Sequence, residues 1–189
     1  MSMKKILAAL CLISISMLAA AQKPSVATPV TLPTDSITKL ITYEGVIEVK
    51  GVSADELYRR INDWFHSYYK NPTEVIRTND STAHKMIGKP RFRMSNPPDK
   101  EGTRTDAGIT QYTITVAAKD GRYKYELTEF NWKQLSYFAC EKWMDTKSPS
   151  YTNAYSDFLT QLDKYAIETI ASLRDALTHA KSVKDKDSW

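Results

Sequence analysis

The chain has 189 residues, with 26 Lys and Arg against 22 Asp and Glu and a formal net charge of +4. Removing the 21-residue leader read below leaves 168 residues and, without Lys4 and Lys5, 24 basic against 22 acidic side chains, one domain's worth of nearly neutral chain. That balance gives no electrostatic case for nucleic acid or an anionic membrane as partner, and the single cysteine left, Cys140, excludes an intramolecular disulfide and a cysteine-based zinc site.

Lys4 and Lys5 form a positive n-region, residues 6–18 an apolar h-region, and Ala19, Ala20 and Ala21 the small residues of a cleavage site, so residues 1–21 read as a secretory signal peptide cut between Ala21 and Gln22. The h-region is shorter than the roughly 18–20 apolar residues that span a bilayer, and no later stretch suits a transmembrane segment. Cys11 follows Leu10 inside the h-region, not a small residue at its end, which argues against a lipid anchor. The expected address is export to the periplasm or cell envelope.

Residues 22–36 hold Pro24, Pro29 and Pro33 among small polar residues and read as an extended linker before a core of residues 37–131. Residues 42–50 alternate and are rich in β-branched residues, a first strand broken by Gly51. Ser53 and Glu56 form a capping box in which the hydroxyl accepts from the third backbone N–H and the carboxylate reaches back to the cap's own. The helix that follows carries Leu57, Ile61, Trp64, Phe65 and Tyr68 on one stripe and ends before Pro72. Strands are predicted over residues 74–78 and 84–94, joined by a turn at residues 79–82. Pro90 makes the second an edge strand or bulges it. Residues 95–107 read as a mobile surface loop.

Asp120 and Gly121 predict a two-residue type I′ hairpin turn, with positive φ at both. Pairing Lys119 with Arg122 sets Ala118 against Tyr123, Val116 against Tyr125 and Ile114 against Leu127 on a core face. The opposite face receives Thr113, Thr115, Ala117, Lys124, Glu126 and Thr128. An aromatic connector, residues 132–148, leads to a last helix over about residues 151–180. Its stripe is Leu159, Leu162, Ala166, Ile170, Leu173 and Leu177, and a charged tail, residues 182–189, closes the chain. The fold class is α+β: an antiparallel sheet with helices on one face, in the order β-α-β-β-β-β-α.

Three segments carry a resemblance: YEGVIEVKGVSADELYRRINDWF at residues 43–65, MIGK at residues 86–89 and YTITVAAKDGRYKYEL at residues 112–127. With G-x-S-x-x-E-L-Y ahead of a Trp-bearing helix and K-D-G-R-Y at a hairpin, residues 41–131 resemble a family of exported bacterial domains of unknown function, the domain of unknown function 4468 type. The resemblance implies one half of a TATA-binding-protein-like fold and an envelope setting. It implies no active site.

Catalytic constellations are missing. His66, His84 and His179 have no spacing that brings two imidazoles to one metal, the nucleophile elbow and the phosphate loop are absent, and no cofactor is implied. Glu126 and Glu129, three apart on a strand, are expected on opposite faces and therefore not as a carboxylate pair. Trp64, Phe65 and Tyr68 read as core. Lys85, Lys89, Arg91, Arg93, Lys100 and Arg104 make residues 85–104 locally basic, yet export and the lack of a second fused half argue against nucleic acid.

The expected function is a non-catalytic envelope module that binds a protein, glycan or small ligand on the polar sheet face, at Thr113, Thr115, Lys124, Glu126 and Thr128. The alternative is an enzyme whose site gathers Asp99, Glu101, Asp106, Glu141 and Asp145 from the 95–107 loop and the 132–148 connector. A further alternative is self-association, through the strand edge near Pro90 or through Cys140. The aromatic neighbours of Cys140 predict that it is buried.

Overall fold

The computed structural model describes residues 30–133 and 136–179. The signal segment, residues 22–29 of the linker and the tail fall outside them. The elements are β1 (Tyr43–Glu48), α1 (Ala54–Tyr68), a short α2 (Pro72–Val75), β2 (Ile76–Asp80), β3 (Lys85–Gly88), β4 (Arg91–Ser95), β5 (Asp106–Lys119), β6 (Arg122–Lys133), β7 (Tyr137–Ala139), a 3₁₀ turn (Cys140–Met144) and α3 (Ala154–Thr178). The strands form one antiparallel sheet of seven, in the order β1-β6-β5-β3-β2, with β4 continuing along β5 beyond β3 and β7 pairing with β6.

The β5–β6 hairpin has the predicted register, Lys119 opposite Arg122 through Ile114 opposite Leu127. Its turn differs. Only Gly121 has positive φ (73°), so the turn is not type I′. The Asp120 side chain is committed elsewhere: one carboxylate oxygen accepts from the Ala54 N–H at 2.7 Å, satisfying an orphan donor in the first turn of α1. Ser53 caps that helix as predicted, accepting from the Glu56 N–H at 3.3 Å. The Glu56 carboxylate does not turn back to the cap. Both its oxygens face outward to Arg59 and Arg60 at 2.8 Å, because two guanidinium groups outbid one amide for an ionised carboxylate.

The predicted strand 84–94 is two strands. Pro90 has no N–H to donate, and β3 and β4 stop on either side of Lys89–Pro90. The strand expected at 74–78 starts only at Ile76, because Pro72 opens a helical turn in which its missing N–H costs nothing. The connector supplies β7 and the 3₁₀ turn, neither of which has a periodic signal long enough to read.

α1 and α3 cover one face of the sheet. Leu57, Ile61, Trp64 and Phe65 from α1, and Leu159, Leu162, Ala166, Leu173 and Leu177 from α3, are buried against Ile114, Val116, Tyr123 and Leu127. Ile170 is only half-buried. Thr169 takes the inward position and donates back to the Tyr165 carbonyl at 2.9 Å. The helices are joined by polar bonds at the rim of the core: Trp64 donates to Ser172 Oγ, and buried Arg60 donates to the Leu177 carbonyl at 2.7 Å, a cation at the negative end of α3. Leu32, inside the expected linker, is buried, and the Thr42 N–H donates to the Pro33 carbonyl. Cys140 is fully buried beside Trp143, and burial pushes its thiol well above the usual range. Self-association through Cys140 is thereby excluded, because the sulfur cannot meet a second chain.

Candidate functional site

Among the described residues no helix lies over the second sheet face. Alternation places Glu44, Val46 and Glu48 of β1, Lys85 and Ile87 of β3, and Thr78 and Asp80 of β2 on it, beside the five expected face residues Thr113, Thr115, Lys124, Glu126 and Thr128. The five do not form one cluster. Lys124 is ion-paired with Glu44 at 2.7 Å, which raises its pKa, and it lines a concavity of about 360 Å³ with Val46, Ala117, Lys119 and Arg122. Glu126 and Thr128 line a separate groove of about 250 Å³ beneath the loop that holds Asp35, Thr38 and Thr42. Thr128 Oγ1 lies 3.1 Å from Thr42 Oγ1 across that groove.

Glu129 also lines this groove, so Glu126 and Glu129 share a face, contrary to the expectation from strand alternation. The cause is a β-bulge. The pairing shifts between Gln111 and Thr113, and Glu129 adopts φ 55°, a left-handed conformation unusual for a side chain bearing a Cβ. The extra residue reverses the alternation once, which returns Phe130 to the core, where its ring stacks on Tyr112 at 5.3 Å. Glu129 accepts from the Thr113 hydroxyl at 2.5 Å and from Lys89 at 3.4 Å, and these donors, the hydroxyl first, hold its carboxyl below the usual range. Sequence reasoning had no signal for this bulge, because glycine is the residue that normally marks such a position.

Four of the five carboxylates of the enzymatic alternative are engaged separately. Glu141 accepts from the Ile41 N–H at 2.8 Å, Asp99 from the Glu101 and Thr103 N–H groups, Asp145 from the Lys147 N–H, and Asp106 faces Arg93. The cavity between β4, β5 and β7, about 270 Å³, is lined by Asp106 alone of the five. Among the described residues no group of three His, Cys, Asp or Glu is arranged to hold a metal ion, and no helix is long and apolar enough to cross a membrane. Four of the six cations in residues 85–104 face carboxylates: Lys89 with Glu129, Arg91 with Glu74, Arg93 with Asp106 and Arg104 with Asp157.

No curated protein matches the chain. Two solved structures share the fold: a DUF4468 family protein from Bacteroides ovatus, 13% identical with a TM-score of 0.63 over 76% of this chain and 90% of the other, and a TBP-like protein from Parabacteroides distasonis, 17% identical with a TM-score of 0.59 over 75% and 95%. At those identities the likeness speaks for the fold alone. A family model, the domain of unknown function (DUF4468) with TBP-like fold, matches residues 43–133, which run from β1 to the end of β6. Residues 43–133 therefore belong to the DUF4468 family of domains with a TBP-like fold.

Proposed function

We propose that this protein is an exported, non-catalytic binding module of the cell envelope, and that the uncovered sheet face is where it holds a protein, glycan or small-ligand partner. One observation carries the reading: a sheet of seven strands has one face packed by α1 and α3, while the other is, among the described residues, open, polar and indented. Polar side chains are what any solvated sheet face carries, and the grooves between them are the feature that offers a ligand a place. The leader at residues 1–21 supports the envelope setting. The separate engagement of Asp99, Asp106, Glu141 and Asp145 favours binding over carboxylate catalysis.

The test is capture of partners from an envelope extract by the protein and by a variant with Lys124→Glu and Glu126→Lys. Both positions are solvent-facing, so the variant folds, which circular dichroism verifies. The expected result is loss of the captured partners. Identical capture by both forms overturns the assignment of the face.

A further inference from the structure

Three candidates stand out on the open face. The acidic groove of Glu44, Glu126 and Glu129 is a cluster of carboxylates with no second feature pointing to a ligand. The concavity at Lys124 sits at a hairpin tip, with its lysine already held by Glu44. The third is the cavity at the far end of the sheet, between β4, β5 and β7, and it carries an argument.

Cross-strand register builds this cavity in two rows. Arg93, Ile109, Lys133 and Tyr137 lie side by side on β4, β5, β6 and β7, and Arg91, Gln111 and Asn131 form the next row. Arg91 and Arg93 are two apart on β4, so both side chains rise from the same face, about 7 Å apart along the strand. The cavity of about 270 Å³ thus has an aliphatic floor in Ile109, an amide in Gln111, three cations and a single carboxylate, Asp106. Tyr137 is 58% exposed, and the Lys133 ammonium lies 5.5 Å from its ring centroid. An exposed ring with a cation over it at a cavity rim is a platform for a flat or ring-shaped ligand that carries negative charge. Two register shifts flank the site, one in the β4–β5 pairing with its extra residue on β5 between Asp106 and Ile109, the other in the β5–β6 pairing at the Glu129 bulge of β6.

The arginines are held loosely. Arg93 meets Asp106 at 3.4 Å and Arg91 meets Glu74 at 3.5 Å, longer than the about 2.7–2.9 Å of a committed guanidinium–carboxylate bond. Both pairs are exposed and screened, so either arginine is available to turn to a ligand. Beyond Asn131, the face turns acidic at Glu129, Glu126 and Glu44. A long polyanion crossing the sheet is repelled there, whereas a ligand confined to the cavity is not.

We infer that the Arg91–Arg93–Lys133 cavity, with Tyr137 at its rim, binds a single-ring acidic saccharide, a sugar bearing a carboxylate, sulfate or phosphate group. This rests on the open face being the binding face. The volume lies just under the about 300–1,000 Å³ typical of small-ligand sites and suits one ring. The arginine fork takes the acid group, Gln111 a hydroxyl, and the Tyr137 ring the sugar's apolar face.

The experiment is an NMR titration of the purified full chain with glucuronate, glucose 6-sulfate and glucose 6-phosphate, with glucose, inorganic sulfate and inorganic phosphate as controls. At least one acidic sugar is expected to shift the amides of Arg93, Ile109 and Tyr137 saturably, and the one that binds tightest identifies the acid group. Glucose leaves them in place, and the inorganic ions bind more weakly than that sugar. Arg93→Ala, at a side chain 75% exposed and so without consequence for folding, weakens the response by about tenfold. Lys133→Ala weakens it as well. The inference is overturned by the absence of saturable shifts, by an equal response to glucose, by inorganic ions that match the sugars, or by unchanged affinity in both variants. Failure of this titration while face-dependent capture persists overturns the saccharide site alone. A saccharide response with unchanged capture by the charge-reversed variant overturns the Lys124–Glu126 assignment alone.

Discussion

Strands β5 and β6 present two faces made from the same backbone, and the two are held by different physics. On the inner face Ile114, Val116, Tyr123 and Leu127 are almost fully buried, in contact with two helices, and their positions are fixed by excluded volume and removal from water. On the outer face Thr113 is held by Glu129 and Lys124 by Glu44, pairwise polar contacts in water that weakens each of them. The inner face is therefore intolerant of change and uninformative about function. The outer face tolerates change.

Substitutions at adjacent positions of β6 should separate the two faces most sharply. Leu127→Ala, at a fully buried side chain, is expected to cost about 2–5 kcal/mol, whereas Thr128→Ala next to it should stay within about 0.5 kcal/mol. Urea denaturation of both variants measures this. A cost at Thr128 comparable to that at Leu127 would mean the outer face is structural.

Glu129 tests the comparison where the two faces meet, since its bulge changes which side chains belong to each. Glu129→Ala keeps the left-handed backbone and loses the bonds to Thr113 and Lys89, while Glu129→Gly loses the same bonds and relieves the backbone. The glycine variant should be the more stable of the two by about 1 kcal/mol. If alanine is equal or better, the positive φ is not a constraint.

The smallest effect lies at the helix start. Arg59 first, then Arg60, lower the Glu56 carboxyl from 4.5 to about 2. Its pKa is depressed in the folded state, so its contribution is fully present above about pH 4.5 and is lost as the pH falls towards 2. Glu56→Gln should therefore lower the melting temperature by a few degrees at pH 7 and narrow its gap to the parent protein as the pH drops from 4.5 to 2. A gap that is constant with pH would show that Glu56 acts by packing and not by charge.

Much of the inner face was legible in the chain itself. The period-2 pattern of residues 112–127 and the Asp120–Gly121 turn set a register that the tertiary structure reproduces, and the helical stripe from Leu57 to Phe65 marks the buried side of α1. These signals are local, because burial imposes a period that each strand or helix carries within its own residues. The outer face has no such period. Its candidate residues were found by subtraction, which placed Thr113, Thr115, Lys124, Glu126 and Thr128 on the right side of the sheet without showing that they divide between two grooves.

By itself, then, the sequence determined the α+β class, the hairpin register and the Ser53 cap, each a consequence of short-range sterics or local hydrogen bonding. Only the tertiary structure decided the rest. Asp120 left the expected turn type because a helix N-terminus 66 residues away needed an acceptor. Glu129 crossed to the face of Glu126 because Phe130 had to reach Tyr112. The Arg93–Ile109–Lys133–Tyr137 row exists only because four strands lie side by side. In each case the deciding partner is far away in the chain, and no local period or propensity carries information about it.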